Sequence, residues 1–348
     1  MVMQKRHQIT FLAGLIGLFL SAISCSKNGS SGGTDNNNPG GSTVPVVYIA
    51  GAGFNGTKWV AKYWKDGTVV TLTDGTKNAK AYAIFVSGTD VIVGGYENNG
   101  NRDVATYWKN GTAVQLTNGS NDATLLSIFV SGTDIYAAGY EHAPGGSRRA
   151  RYWKNGSVTA PGNVNRTSEA RSIVVSGSDV YVAGTESNGM INFAQYWKNG
   201  VPVVLTDGTQ YAEASGIYVA GSDVYVTGFE TIWPSFNNRA KYWKNGIAYT
   251  LPSGSNSTWG NALFVSGTDV HVVGAENTTG RHWKNDNQLF SAVQATPVEF
   301  RSLFVKGTDV HIVGNAGSIG NTTARYWKNG TEIILGTEIS QAESVFVK

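Results

Sequence analysis

A chain of 348 residues with 44 glycines, 11% aromatic residues and only 15% charged ones has length enough for two domains. Its formal net charge of +3 includes Lys5 and Arg6 near the N-terminus; the remainder is close to neutral, which excludes the clustered basic face that a nucleic-acid partner requires. The single cysteine, Cys25, excludes an internal disulfide. In chain order, residues 1–24 come first and have the layout of a secretory signal peptide. Lys5 and Arg6 form the basic region, Phe11–Leu20 the apolar core, and Ala22-Ile23-Ser24 the small-residue cleavage site. The apolar run is too short for a permanent membrane span.

Cys25 follows directly. At this place it resembles the lipid-acceptor cysteine of bacterial lipoproteins, although Ala22 stands where that family usually carries Leu. The resemblance implies a membrane partner through a lipid anchor at Cys25, in an exported outer-membrane or cell-surface protein. The alternative is a plain secreted or periplasmic protein with an incidental cysteine. Residues 25–44 make a linker in which Ser26–Thr43, mostly Gly, Ser, Asn and Thr, has no large apolar residue and cannot build a core. As a flexible coil they span roughly 20 to 25 Å and read as a tether.

From residue 45 to Lys348 the chain repeats. An aromatic pair before a Lys-Asn-Gly or Lys-Asp-Gly turn places tryptophans at 64, 108, 153, 197, 243, 283 and 327, at intervals of 40 to 46 residues. A fixed period of this size marks a propeller, a solenoid or an array. Each copy divides into four short strands: one ending in Ile-Phe-Val or an equivalent, then a Gly-(Thr/Ser)-Asp turn. A strand like Val-Tyr-Val-Ala-Gly follows, then a variable loop, the Tyr-Trp strand and a last short strand. Turns this tight join antiparallel neighbours. The first two strands are apolar on both faces, as in sheets stacked face to face around an axis. No helical periodicity occurs in this region.

The ends of the repeat argue for closure. There are seven tryptophan turns but six Gly-(Thr/Ser)-Asp turns. Val47–Gly51 matches the second strand of a copy, and Val345–Val347 matches the first. The expectation is therefore an all-β, seven-bladed β-propeller of four-stranded antiparallel blades, about 43 residues each, whose C-terminal strand pairs with N-terminal strands to seal the ring. The residue before each hydrophobic triplet is Ala83, Ser127, Ser172, Gly216, Ala262, Ser302 or Ser344. These small residues suit an innermost strand. Residues 45–348 thus resemble the β-propeller superfamily and have a kelch-like strand order. The Tyr-Trp-Lys-Asn-Gly repeat is similar to uncharacterised repeats of secreted bacterial lipoproteins, a resemblance that brings no activity with it.

Two groups of residues are candidates for binding. The loop face that varies between copies carries Trp233, Pro234 and Phe236 beside Arg239, a combination suited to stacking on sugar or peptide. The structural alternative folds those rings onto a neighbouring blade. The second candidate is the mouth of the central channel, where alternate residues leading into the inner strands face the axis: Lys80, Tyr82, Glu169, Arg171, Glu213, Trp259, Asn261, Glu299, Arg301 and Glu343. Four carboxylates around one axis suit a cation or acid/base work. The alternative is mutual neutralisation of Glu169 with Arg171 and Glu299 with Arg301.

The glutamate after the second strand recurs at 97, 141, 186, 230 and 276. It is read as half of a cross-strand pair with Arg151, Lys241 or Arg281 where these occur, and each tight-turn aspartate as an acceptor of backbone N–H groups. His271, His282 and His311 are read as substitutes at packed aromatic positions. No zinc spacing, phosphate loop or nucleophile motif occurs, and no metal or cofactor is expected. The favoured function is a surface-tethered, non-catalytic binding or scaffolding module, monomeric, with a glycan or protein ligand on the variable face. The alternative is a carbohydrate-active hydrolase or lyase using the channel carboxylates.

Overall fold

The computed structural model describes residues 44–292, 296–318 and 320–348. The signal-peptide reading of residues 1–24, Cys25 and nearly all of the tether lie outside them. Pro45–Lys348 forms seven four-stranded antiparallel sheets. Six are consecutive meanders and the seventh is composite: Ser340–Val347 pairs with Val47–Phe54, which pairs with Trp59–Lys65 and then Thr68–Thr71. The ring is a closed seven-bladed β-propeller. Each blade's first strand touches the first strands of both neighbouring blades, so these seven strands surround the axis.

Local chemistry explains the meander. At the Lys-Asn-Gly turn, Asn110 (φ 51°) and Gly111 (φ 84°) both occupy the left-handed region, as a two-residue hairpin turn with the strand twist requires. A polar latch ties this turn to the other turn of the same face. Asn110 Nδ2 donates to Asp90 Oδ1 (2.8 Å), Lys109 Nζ lies 2.7 Å from Asp90 Oδ2, and Val91 N–H donates to Asn110 Oδ1 (2.9 Å). The tight-turn aspartate therefore binds side chains, and the asparagine accepts the backbone N–H that the sequence assigned to the aspartate. The latch recurs with Asp134, Asp179, Asp223, Asp269 and Asp309.

The core lies between the blades. All seven repeat tryptophans are buried. Trp64 and Ile49, for example, share one cluster with Val313, Ala324 and Tyr326 of the preceding blade. Small residues at the axis admit contacts between blades: Ser127 Oγ accepts from Ile173 N–H (3.1 Å), and Ser172 Oγ from Ile217 N–H (3.2 Å).

One irregularity, repeated seven times, positions the channel lining. Each inner strand skips one residue in its pairing register: Tyr82, Leu126, Arg171, Ser215, Asn261, Arg301 and Glu343. Such a bulge re-aims side chains. It also pushes a carbonyl toward the second strand, and the residue facing that carbonyl is always the glycine that closes the second strand. A Cβ on Gly95 would lie 1.9 Å from Lys80 O, and one on Gly228 would lie 1.9 Å from Glu213 O. These glycines are required for room.

Candidate functional site

The bulge residues and those two positions earlier in each inner strand make two polar rings around the axis. The outer ring, at the mouth, is Lys80, Thr124, Glu169, Glu213, Trp259, Glu299 and Gln341. The inner ring is the seven bulge residues. All ten channel residues named from the sequence fall in these rings. Their other members, Thr124, Leu126, Ser215 and Gln341, stand in the same repeat columns and were not named from the sequence.

Below the bulges the lining becomes apolar. Tyr218, Phe264, Phe304, Phe346, Phe85 and Phe129, on successive inner strands apart from Val174, pack ring against ring in that order, with centroids 4.8–5.2 Å apart.

The charges of the rings form two clusters. Arg171 Nη2 lies 3.0 Å from Glu213 Oε2, and its Nε lies 3.3 Å from Glu169 Oε1. Arg301 Nη1 lies 3.1 Å from Glu299 Oε1, and its Nε lies 3.5 Å from Glu343 Oε2. Neutralisation inside each blade is thus joined by a bridge to the next. Two further partners had no sequence signal because they lie outside the repeat columns. Arg148, on the neighbouring blade's hairpin, binds Glu169, and the Tyr211 hydroxyl donates to Glu213. Asn261 Nδ2 donates to Glu299 Oε1 (3.1 Å), and Lys80 Nζ donates to Gln341 Oε1 (2.8 Å) while lying over the Trp59 ring.

Burial sets the titration of these groups. Loss of water pushes the Glu343 carboxyl above the usual carboxylate range, against the pull of Arg301. Burial, with Arg301 nearby, draws the Lys80 ammonium below the usual lysine range. Tyr211 is pushed up to about 12 by burial and by its bond to Glu213.

The mouth opens as a cavity of about 680 Å³ toward one side of the ring, a size typical of small-ligand sites. Trp259, half-buried, stands at its wall with Asn261, Asn277, Glu213 and Glu299. Among the described residues no other ring stacks on Trp259. The aromatic loop belongs to the same face but not to this cavity. Trp233 and Phe236 are 56% and 63% exposed and pack on each other, with centroids 4.6 Å apart, so the rings do not fold onto a neighbouring blade. Arg239 donates to the carbonyls of Asn256 (2.7 Å) and Asn238 (3.3 Å), which shapes the loops beneath them.

The repeated glutamates are cross-strand partners: Arg151 Nε lies 3.2 Å from Glu141, Arg281 Nη2 lies 2.7 Å from Glu276, and Lys241 pairs with Glu230. Among the described residues no group of three or more His, Cys, Asp or Glu side chains is arranged to hold a metal ion.

No family model matches the chain, and no curated protein matches it. Among solved structures the propeller is similar to the Pyrococcus horikoshii acylaminoacyl peptidase, at 13% identity and a TM-score of 0.52, over 84% of this chain and 50% of that one. It is also similar to an acylaminoacyl peptidase in complex with Z-Gly-Gly-Phe-chloromethyl ketone, at 12% identity and a TM-score of 0.50, over 84% and 50%. A third likeness, to polysaccharide lyase Uly1, has 10% identity and a TM-score of 0.47, over 83% and 88%. The chain spans about half the length of the two peptidases, and those two likenesses speak to the fold and to nothing else.

Proposed function

We propose that this propeller is a surface-tethered, non-catalytic binding module that seats a glycan in the funnel at the channel mouth. The observation that carries the reading is the cavity of about 680 Å³ in which the open face of Trp259 stands beside Asn261, Asn277 and carboxylates already held by cations. Sugars bind by laying a C–H face on an aromatic ring while amides and charged groups meet their hydroxyls. Glu213 is occupied by Arg171 and Tyr211, and Glu299 by Arg301 and Asn261. Carboxylates so engaged suit recognition better than proton transfer.

The topology supports display of this site. The chain enters the propeller beside its own end, where Val46 N–H donates to Lys348 O at 3.0 Å on the tight-turn face. A tether reaching residue 45 from a lipid on Cys25 attaches there, and the funnel opens on the other face. Palmitate incorporation that is lost in Cys25→Ala is the expected outcome; label retained in that variant refutes the anchor.

The test of binding is capture of the full chain on a glycan array. Trp259→Ala is expected to weaken capture about fivefold, since stacking on an aromatic ring contributes on the order of 1 kcal/mol. Capture that survives Trp259→Ala and is lost in Trp233→Ala with Phe236→Ala moves the site to the hairpin. The competing enzyme reading has one observation on its side, the raised titration of Glu343. Turnover of a bound polysaccharide, abolished in Glu213→Gln or Glu343→Gln, replaces the binding reading.

A further inference from the structure

The funnel does not end at the mouth. The cavity there and a deeper one of about 340 Å³ share Arg171, Ser215, Asn261, Arg301 and Gln341, so they form one continuous space. Its charge changes with depth. The upper part is lined by two arginines and two carboxylates, Glu213 and Glu299. The lower part is lined by Lys80, Arg171 and Arg301 against one carboxylate, Glu343. The two arginines sit three blades apart in a ring of seven and so approach the axis from opposite sides.

Neither arginine has all of its donors satisfied by its carboxylates. Arg171 Nε and Arg301 Nε are shut off from solvent and have no hydrogen-bond acceptor. Their approaches to Glu169 (3.3 Å) and Glu343 (3.5 Å) are Coulombic contacts without hydrogen-bond geometry. Buried donors in folded proteins almost always find an acceptor, and a guanidinium is shaped to meet a carboxylate through two parallel N–H groups.

We infer that the funnel takes a saccharide bearing a carboxylate, with the sugar on Trp259 and the carboxylate lowered toward Arg171 and Arg301 within reach of Lys80. The inference rests on the glycan reading above and specifies its ligand. An added anion meets the Lys80 ammonium and the cavity-facing parts of the Arg171 and Arg301 guanidinium groups, where Glu343 is the one carboxylate in the lining. Burial also disfavours the charged form of Glu343, the carboxylate in the lower lining, which eases the approach of a second carboxylate. A peptide also carries carboxylates. The sugar is favoured because the lining includes Ser215, Asn261, Asn277 and Gln341, neutral donors and acceptors matched to hydroxyls, and Trp259 offers a flat face.

The test applies the full chain to oligosaccharides printed in matched pairs, each uronic-acid member beside its carboxyl-reduced counterpart, with acidic peptides as a third set. The expected result is capture of at least one uronic-acid oligosaccharide about tenfold or more above its reduced counterpart, weakened by about tenfold in Lys80→Met and in Arg301→Met. Equal capture of both members of every pair overturns this inference and leaves the glycan reading standing. Capture of acidic peptides alone, or of nothing, overturns both. Arg301→Met leaves Glu299 and Glu343 without their cation, so its melting temperature is compared with that of the native chain. If that variant does not fold, the matched-pair ratio of the native protein decides alone.

Discussion

At the scale of single residues, one blade differs from its neighbours in a way that responds to pH. Where the blade of residues 168–204 packs Tyr181 against Tyr196, the blade of residues 258–292 places His271 against His282. The rings stack at 15° with centroids 5.2 Å apart, and Nδ1 of His271 lies 3.0 Å from Nε2 of His282. One nitrogen must donate and the other accept, so the accepting ring must be neutral and the bond is lost once both rings are protonated. Burial holds both below the usual histidine range, and His282 down to about 4 with the help of His271. The unfolded chain protonates first, near pH 6.5, so the stabilisation is complete above that value and is lost as pH falls toward 4. The melting temperature is expected to fall between pH 7 and pH 4.5, and to fall less in His271→Tyr with His282→Tyr, which installs the pair used by the blade of residues 168–204. Identical pH dependence in the two proteins refutes the assignment. The sequence placed these histidines in packed aromatic slots because the repeat columns line up. It did not pair them, because their approach is diagonal across two strands.

At the scale of the strand, the glycine column and the bulge are two halves of one device. Replacing Gly228 by Ala puts a methyl 1.9 Å from the carbonyl of Glu213, and the inner strand must move to admit it. The expected loss of stability is roughly 2–4 kcal/mol, read by chemical denaturation. Gly216→Ala is the control. Its nearest neighbour, Thr227 Cγ2, lies 3.3 Å away, and Ala83 and Ala262 already fill the same column in other blades. A cost below about 1 kcal/mol is expected there, and equal costs at the two positions discard the bulge as the reason for the glycine. The sequence displayed the glycine column but not the bulge. A strand buried on both faces has no polar–apolar rhythm, so a skipped residue leaves no mark in its pattern. The residues facing the axis were legible through the repeat alone. Their partners Arg148 and Tyr211 were not, because they come from a hairpin and a linker outside it.

At the scale of the molecule, the ring depends on its last strand. Val345 and Val347 are buried in the cluster shared by the closing blade and the blade before it, and the pairing of Ser340–Val347 with Val47–Phe54 joins the two ends of the chain in one sheet. Deleting residues 340–348 exposes an edge strand and opens the faces of two blades. A single sharp thermal transition is expected to give way to a broad one at lower temperature, and an unchanged transition refutes the role of closure. This part of the fold was legible because the terminal segments each match one strand of a copy, and only their union makes a seventh.

The two ends meet so closely that Val46 and Lys348 exchange a pair of backbone hydrogen bonds, each 3.0 Å long. Where along the loop of blades translation starts is therefore immaterial to the finished ring. A circularly permuted gene, with the old ends joined through a short bridge and new ends cut at the exposed hairpin around Gly189 and Met190, encodes the same set of neighbours in a different order. Such a permutant moves the place where the chain ends leave the ring from the tight-turn side to the funnel side.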